Sequence, residues 1–283
     1  MSNMVLLNTI SKTYDKLFID ENSHYSMLDA AILAQIPFYT FSHIDPKDLS
    51  LKIKQYTDPN SRILVLTDGV FSITGSIAPL DEYHEILAGT KNGGMLIDDA
   101  HGVGVIGDNG RGILEYFGLE KNDQYHLVGT MSKAFGSHGG FISGTETLIN
   151  QLRNNSKILT GTTKLPYPTV FMSIAALEYL LENQSLIQKI QENAIYFKEQ
   201  LNRIGISHEI TPSGIAGIHS LPNIDLKELQ NFLNKRKILA NYVPDHEYCG
   251  IPQGGCIKFT IFSNHSIEQL DNAVNQIATF LDK

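Results

Sequence analysis

Tryptophan is missing from the 283 residues, and cysteine occurs only twice. Cys249 and Cys256 are seven apart, without the paired spacing of a zinc site, and two cysteines make no disulfide framework. The simplest setting for such a chain is a reducing, cytoplasmic one. Basic residues are also scarce: 22 Lys and Arg stand against 30 Asp and Glu, a net charge of −8. That balance argues against nucleic acid or an anionic membrane as main partner, since both reward a basic face. No apolar run approaches the length of a membrane span, and the N-terminus lacks the basic and apolar regions of a signal peptide. There is no repeat and no low-complexity tract. What remains is ordinary for a globular enzyme: 42% hydrophobic and 18% charged residues, enough to bury a large core and to fill one large domain and a small one.

Strand and helix patterns alternate along the first half. A helix is expected over 2–14, then a strand at 16–20, a helix at 25–35 and a strand at 37–41. A helix at 46–56, a strand at 62–67, a helix at 80–87 and a strand at 95–97 follow. This alternation implies a mainly parallel sheet covered by helices on both faces. Ligands of such sheets gather beyond the carboxyl ends of the strands. Residues 166–203 read as one long helical connector, with Ile174, Leu177, Leu180 and Leu181 at helical spacing. The rest alternates again: strand 217–221, helix 225–236, strand 256–262, helix 267–281. The expected fold is therefore α/β: a three-layer large domain over 1–165, then a connector helix and a smaller C-terminal α+β domain over 166–283.

Two segments carry chemistry. Gly94-Met95-Leu96-Ile97-Asp98-Asp99-Ala100-His101-Gly102 is a buried-strand pattern ending in carboxylates and an imidazole. Leu127-Val128-Gly129-Thr130-Met131-Ser132-Lys133 ends at a lysine flanked by hydroxyls, and glycines follow. Singly these prove little. Lys133 is equally a solvated loop residue, and Asp98, Asp99 and His101 equally a helix cap, a core histidine or part of a metal site. Together they supply what a pyridoxal phosphate (PLP) enzyme needs: a Schiff-base lysine and a carboxylate for the pyridinium nitrogen. A metal hydrolase on Asp98 and His101 would leave the Lys133 motif unexplained, so no metal is expected.

The order and spacing of both segments resemble the α-oxoamine synthase family of PLP enzymes, a fold-type I group related to aminotransferases. Asp98 to Gly107 is similar to that family's Asp-Asp-Ala-His-Gly signature, and Thr130 to Gly136 to its Thr-x-Ser-Lys-x-Phe-Gly. The likeness runs from about Ser2 to the C-terminus, densest between His24 and Gly140. It implies that Lys133 binds PLP covalently, that Asp98 pairs with the pyridine nitrogen and that His101 bonds the phenolic oxygen. Asp99, on the other face of its strand, is expected to be structural. Asn22-Ser23-His24-Tyr25-Ser26 resembles the segment whose histidine stacks on the ring, so His24 joins Lys133 as a catalytic candidate. Thr67 to Ser72 resembles the family's Thr-Glu-Gly-Val-Phe-Ser, which brings Ser72 to the cofactor. Thr130 and Ser132 would offer hydroxyls to the phosphate, and Thr162, in the 160–163 loop, would reach the phosphate of a neighbouring subunit.

Two departures stand out. Anchored on Asn264-His265, the family arginine that grips the substrate carboxylate falls on Lys258, which keeps the charge but loses the planar fork. The family's N-terminal arm and Gly-rich phosphate turn have no counterpart, so Ser2 or Asn3 is expected to lend helix N-terminal N–H groups to the phosphate. The implied function is PLP-dependent condensation of a small amino acid with an acyl-CoA or acyl-carrier thioester, with decarboxylation, in a homodimer. The rivals are a shortened non-catalytic or partner-dependent subunit, and another PLP reaction such as aldol cleavage or transamination.

Overall fold

A computed structural model describes the chain except for Lys121, Ser220, Pro222, Asn223, 246–249, Pro252 and Lys283. Cys249 thus lies outside the described residues, whereas Cys256 is a buried free thiol. The chain divides into two compact units. One comprises Met1–Val70 with Ala78–Glu182, the other Phe71–Ile77 with Asn183–Lys283.

The first unit is built on six strands: β1 (Lys16–Asp20), β2 (Phe38–Phe41), β3 (Arg62–Asp68), β4 (Asn92–Asp98), β5 (Tyr125–Thr130) and β6 (Gly140–Ser143). Their order is β2-β1-β3-β4-β5-β6; the first five are parallel and β6 runs antiparallel to β5. Seven helices accompany them: α1 (Ser2–Ile10), α2 (Tyr25–Ala34), α3 (Pro46–Tyr56), α4 (Leu80–Ala88), α5 (Ile113–Tyr116), α6 (Glu146–Asn155) and α7 (Tyr167–Glu182). The strands are apolar on both faces because both faces are covered. Leu17, Ile19, Leu64, Leu66 and Leu96 share one core with Leu6 and Leu7 of α1, Met27 of α2 and Leu148 of α6. Their neighbours Phe18, Ile63, Val65, Met95 and Ile97 are buried on the other side, where α3 and α4 pack. Asp45, followed by Pro46, starts α3 by accepting the N–H groups of Lys47 and Asp48.

In the second unit, β7 (Ile215–His219), β8 (Asn241–Val243) and β9 (Cys256–Thr260) form an antiparallel sheet in the order β7-β9-β8. Helices α8 (Ser185–Arg203), α9 (Leu226–Asn234) and α10 (Ile267–Leu281) share its core through Phe197, Leu229, Ile257, Phe259 and Ile277. Asp225 caps α9, and Ser266 with Gln269 makes a reciprocal capping box on α10. Lys198 of α8 is 1% exposed. Its Nζ lies 2.6–3.0 Å from four oxygens, the carbonyl and hydroxyl of Thr211 and of Ser213. Both hydroxyls also donate to the carbonyl of Gly75. Residues 71–77 are thereby held to the body of this unit.

Several expected elements differ in detail. The first helix stops at Ile10 and tightens to a 3-10 turn at Ser11–Thr13. Thr9 and Ser11 turn their hydroxyls onto the carbonyls of Val5 and Asn8, competing with the helical ladder. The 166–203 connector is two helices rather than one. The break falls at Asn183-Gln184, whose carbonyls accept the N–H groups of Leu186 and Ile187 and restart the turn. The strand expected at 217–221 lies at Ile215–His219. Elements α5, α6 and β8 were not anticipated.

Candidate active site

Alternation along the strands decides which side chains meet. Leu64 and Leu66 face α1, so Asp68 at the end of β3 faces the same way; Leu96 does the same for Asp98 at the end of β4. Asp68 and Asp98 are direct partners in register, and Asp98 is in turn opposite Val128 of β5. Two acids at one sheet edge repel. Asp68 is 4% exposed, and burial, reinforced by the charge of Asp98, holds its carboxyl well above the usual range. Its Oδ1 accepts the backbone N–H of His24 at 3.1 Å.

Asp98 is half-buried and hydrogen-bonded. Its Oδ1 accepts the N–H of Ala100 (3.1 Å), and its Oδ2 accepts Nδ2 of Asn3 (2.7 Å). Asn3 lies in the first turn of α1, itself buried, and its Nδ2 also reaches the hydroxyl of Ser26 at 2.8 Å. Ser26 in turn lies 2.8 Å from Nδ1 of His24, the residue that caps α2. Desolvation lowers the pKa of His24. The side-chain amide of Asn3 is committed to Asp98 and Ser26.

Lys133 stands in the turn that joins β5 to β6. The carbonyl of Lys133 accepts the N–H of Gly136, Ser137 N–H goes to Met131 and Met131 N–H to Gly139, so the loop folds back on itself. Gly136 (φ 58°) and Gly139 (φ 104°) take the left-handed backbone that this reversal demands. Desolvation lowers the pKa of Lys133, against the pull of Asp98 and then Asp68. Since the side chain is more than a third exposed, the shift is no measure of stability; the opposing pull marks the two acids as near neighbours. Thr130 places its hydroxyl 2.8 Å from that of Ser132 and 3.1 Å from the carbonyl of Gly139. Two hydroxyls thus flank the lysine.

Asp99 is structural, as expected. It is wholly buried and accepts Ile113 N–H at 2.8 Å, and burial raises its pKa well above normal. A Cβ at Gly102 or at Gly112 (φ 96°) would fall on its carboxylate, so glycine there lets the chain close around the acid. His101 sits half-buried in the same corner, three residues beyond Asp98.

Thr162 is exposed, and its hydroxyl turns back onto the carbonyl of Ile158 (2.5 Å). Ser72, buried in the 71–77 segment, and Lys258, half-buried on β9 between Gly217 and Asn241, belong to the second unit. Sequence reasoning missed the part that Asn3 and Ser26 play. The only signal was an amide just before the apolar run Met4-Val5-Leu6-Leu7. No group of three or more His, Cys, Asp or Glu among the described residues is arranged to hold a metal.

The donor set fits PLP. Asp98 offers a carboxylate fixed by two N–H donors, Lys133 an amine within its field, and Thr130 and Ser132 hydroxyls suited to a phosphate.

Residues 2–277 match the family model for aminotransferases of class I and II. The 8-amino-7-oxononanoate synthase of Coprothermobacter proteolyticus is 34% identical over 263 residues, covering 93% of this chain and 66% of that protein. The Thermosipho melanesiensis enzyme of the same name is 32% identical, covering 98% of this chain and 69% of that protein. The chain thus spans about two thirds of the length of the curated relatives it matches. Among solved structures, the 8-amino-7-oxononanoate synthase of Francisella tularensis superposes with a TM-score of 0.81 at 25% identity, over 99% of this chain and 79% of that one. A serine palmitoyltransferase from S. paucimobilis, solved with a bound PLP–myriocin aldimine, shares the fold with a TM-score of 0.86 at 23% identity, over 98% and 70%.

Proposed function

The chain belongs to the aminotransferase class I and II family, and from that premise we propose that it is a PLP-dependent acyltransferase of the α-oxoamine synthase type. It would condense a small amino acid with an acyl thioester, with decarboxylation. The observation that carries this reading is the meeting of Asp98 and Lys133 beyond the carboxyl ends of β4 and β5, where the charge of Asp98 acts on the lysine. When bound, the cofactor supplies an aldehyde for the lysine and a protonated ring that withdraws electrons from the carbon losing a proton. Asp98 is an acceptor held by Asn3 and Ala100, and so keeps a proton on the ring nitrogen opposite it.

Lys133, with its pKa lowered, more readily presents a neutral amine. It would hold the cofactor and, as a free amine, would accept the α-proton of the amino acid. His24 supplies a flat ring against the cofactor. His101 serves the phenolic oxygen, and Thr130, Ser132 and Ser72 supply further polar contacts. Thr162 is assigned to a neighbouring copy's phosphate, and Lys258 to the substrate carboxylate as a single-point charge. In this reading the unit built on the six-stranded sheet carries the main cofactor machinery, and the unit built on β7, β8 and β9 is the smaller domain. A homodimer is the working assembly, a role suited to the exposed apolar face of α7. Borohydride reduction of the PLP-treated protein, followed by peptide mass mapping, should place the phosphopyridoxyl group on the peptide containing Lys133. Finding it on another lysine, with Lys133 unmodified, ends the proposal.

A further inference from the structure

The polar atoms beside Asp98 have a fixed direction. A carboxylate only accepts, so the Asn3 atom 2.7 Å from Asp98 Oδ2 must be the Nδ2 donor. Turning the amide over would set two oxygens against each other. The second N–H of the same nitrogen then points to Ser26 Oγ at 2.8 Å, where the hydroxyl oxygen accepts. Having accepted, Ser26 still has its own proton to give, and His24 Nδ1 lies 2.8 Å away. The backbone N–H of Ser26, which can only donate, also reaches Nδ1 at 3.2 Å. Two donors therefore converge on Nδ1, and that nitrogen carries no proton. The amide is placed for its donors alone: Asn3 is 3% exposed, and its Oδ1 is buried with no hydrogen-bond partner among the described residues.

We propose that Asn3 and Ser26 are positioning residues: hydrogen bonds donated outward from Asn3, to Asp98 on one side and through Ser26 to His24 on the other, lock the His24 ring as its neutral Nε2–H tautomer. The inference rests on the proposed function only in making Asp98 and His24 cofactor residues. The ring is held at three points: its Nδ1 caps α2, its backbone N–H is fixed on Asp68, and Ser26 orients its plane. Nε2 then carries the proton, so the group it serves must be an acceptor, such as an oxygen of cofactor or substrate. Burial favours the neutral ring; Asp98 and Asp29 oppose this, while Lys133 and the chain's amino group assist it.

The test is nitrogen-15 NMR of the cofactor-free chain, with His24 identified by loss of its signals in His24→Gln. In the parent, His24 should show the Nε2–H tautomer almost alone. Asn3→Ala and Ser26→Ala should each let the Nδ1–H tautomer appear beside it, because the hydroxyl loses its fixed direction or disappears and only the longer bond from Ser26 N–H (3.2 Å) still opposes that tautomer. A proton on Nδ1 in the parent overturns the proposal. So does an unchanged tautomer in both folded variants. Should Asn3→Ala fail to fold, Ser26→Ala decides alone, since that side chain is only half-buried. The tautomer is read without PLP, so failure of the Lys133 mapping would not disturb it, and the converse also holds.

Discussion

Asp68 and Asp98 are chemically alike and in register, yet their surroundings give them different work. Asp68 sits in the dry interior with one backbone donor, so its carboxyl resists ionisation. Asp98 has two donors and an open side, which suits it to a ring nitrogen. Asp98→Asn should therefore keep the fold, because Asn3 can still donate to the new amide oxygen. It should slow exchange of the substrate α-proton by roughly a hundredfold or more, the scale seen when one pre-organised charge partner is lost. Proton exchange at the substrate α-carbon, followed by NMR, checks this; parent-like exchange counts against the assignment. Lys198 makes a different prediction. Burial lowers its pKa from the ordinary 10.5 to about 7, even with four neutral oxygens around it. Between those values the unfolded chain binds the extra proton, so stability should rise with pH from about 7 to about 10.5, by at most about 1.4 kcal/mol per unit. Below about 7 the contribution is absent. Denaturant titrations at several pH values, on the parent and on Lys198→Met, should show that slope in the parent and its loss in the variant.

The element that most constrains the site is the corner from β4 to α5. It wraps around the buried Asp99, and Gly112 combines a φ of 96° with a Cβ direction that runs into that carboxylate. Gly112→Ala should cost about 2 kcal/mol or more, combining backbone strain with a clash that no rotamer relieves. Thermal unfolding measures it; a shift within error would mean that the corner yields freely. Legibility in the sequence followed the range of the determining contacts. Helix α3 announced itself through Asp45-Pro46, and the start of α10 through Ser266, because caps are local. The Asp98 and Lys133 motifs were equally local and lie where the strand pattern put them. The break between α7 and α8 was hidden because its flanks share one helical apolar pattern. Asn3 could not be assigned, since its partner lies 95 positions away and only the packed sheet brings them together.

At the scale of the molecule, α7 is the anomaly: an apolar helix with no buried residue, Tyr167 being 81% and Leu181 70% exposed. A bare face of this kind signals a covering partner, and a second copy is the proposed one. Phe171→Glu should therefore turn a dimer into a monomer by sedimentation, and a parent that is already monomeric refutes this. The other whole-molecule feature is the 71–77 excursion, closed at its base by the bond from Ala78 N–H to Gly69 carbonyl. Its crown, Gly75, is bound by Ser213, 138 positions later. On the ribosome, at about 5–20 residues per second, that partner emerges roughly ten seconds or more after the loop does. Until then Gly75 lacks the hydroxyls that hold it, so the excursion is anchored only once the later part of its own unit has been made.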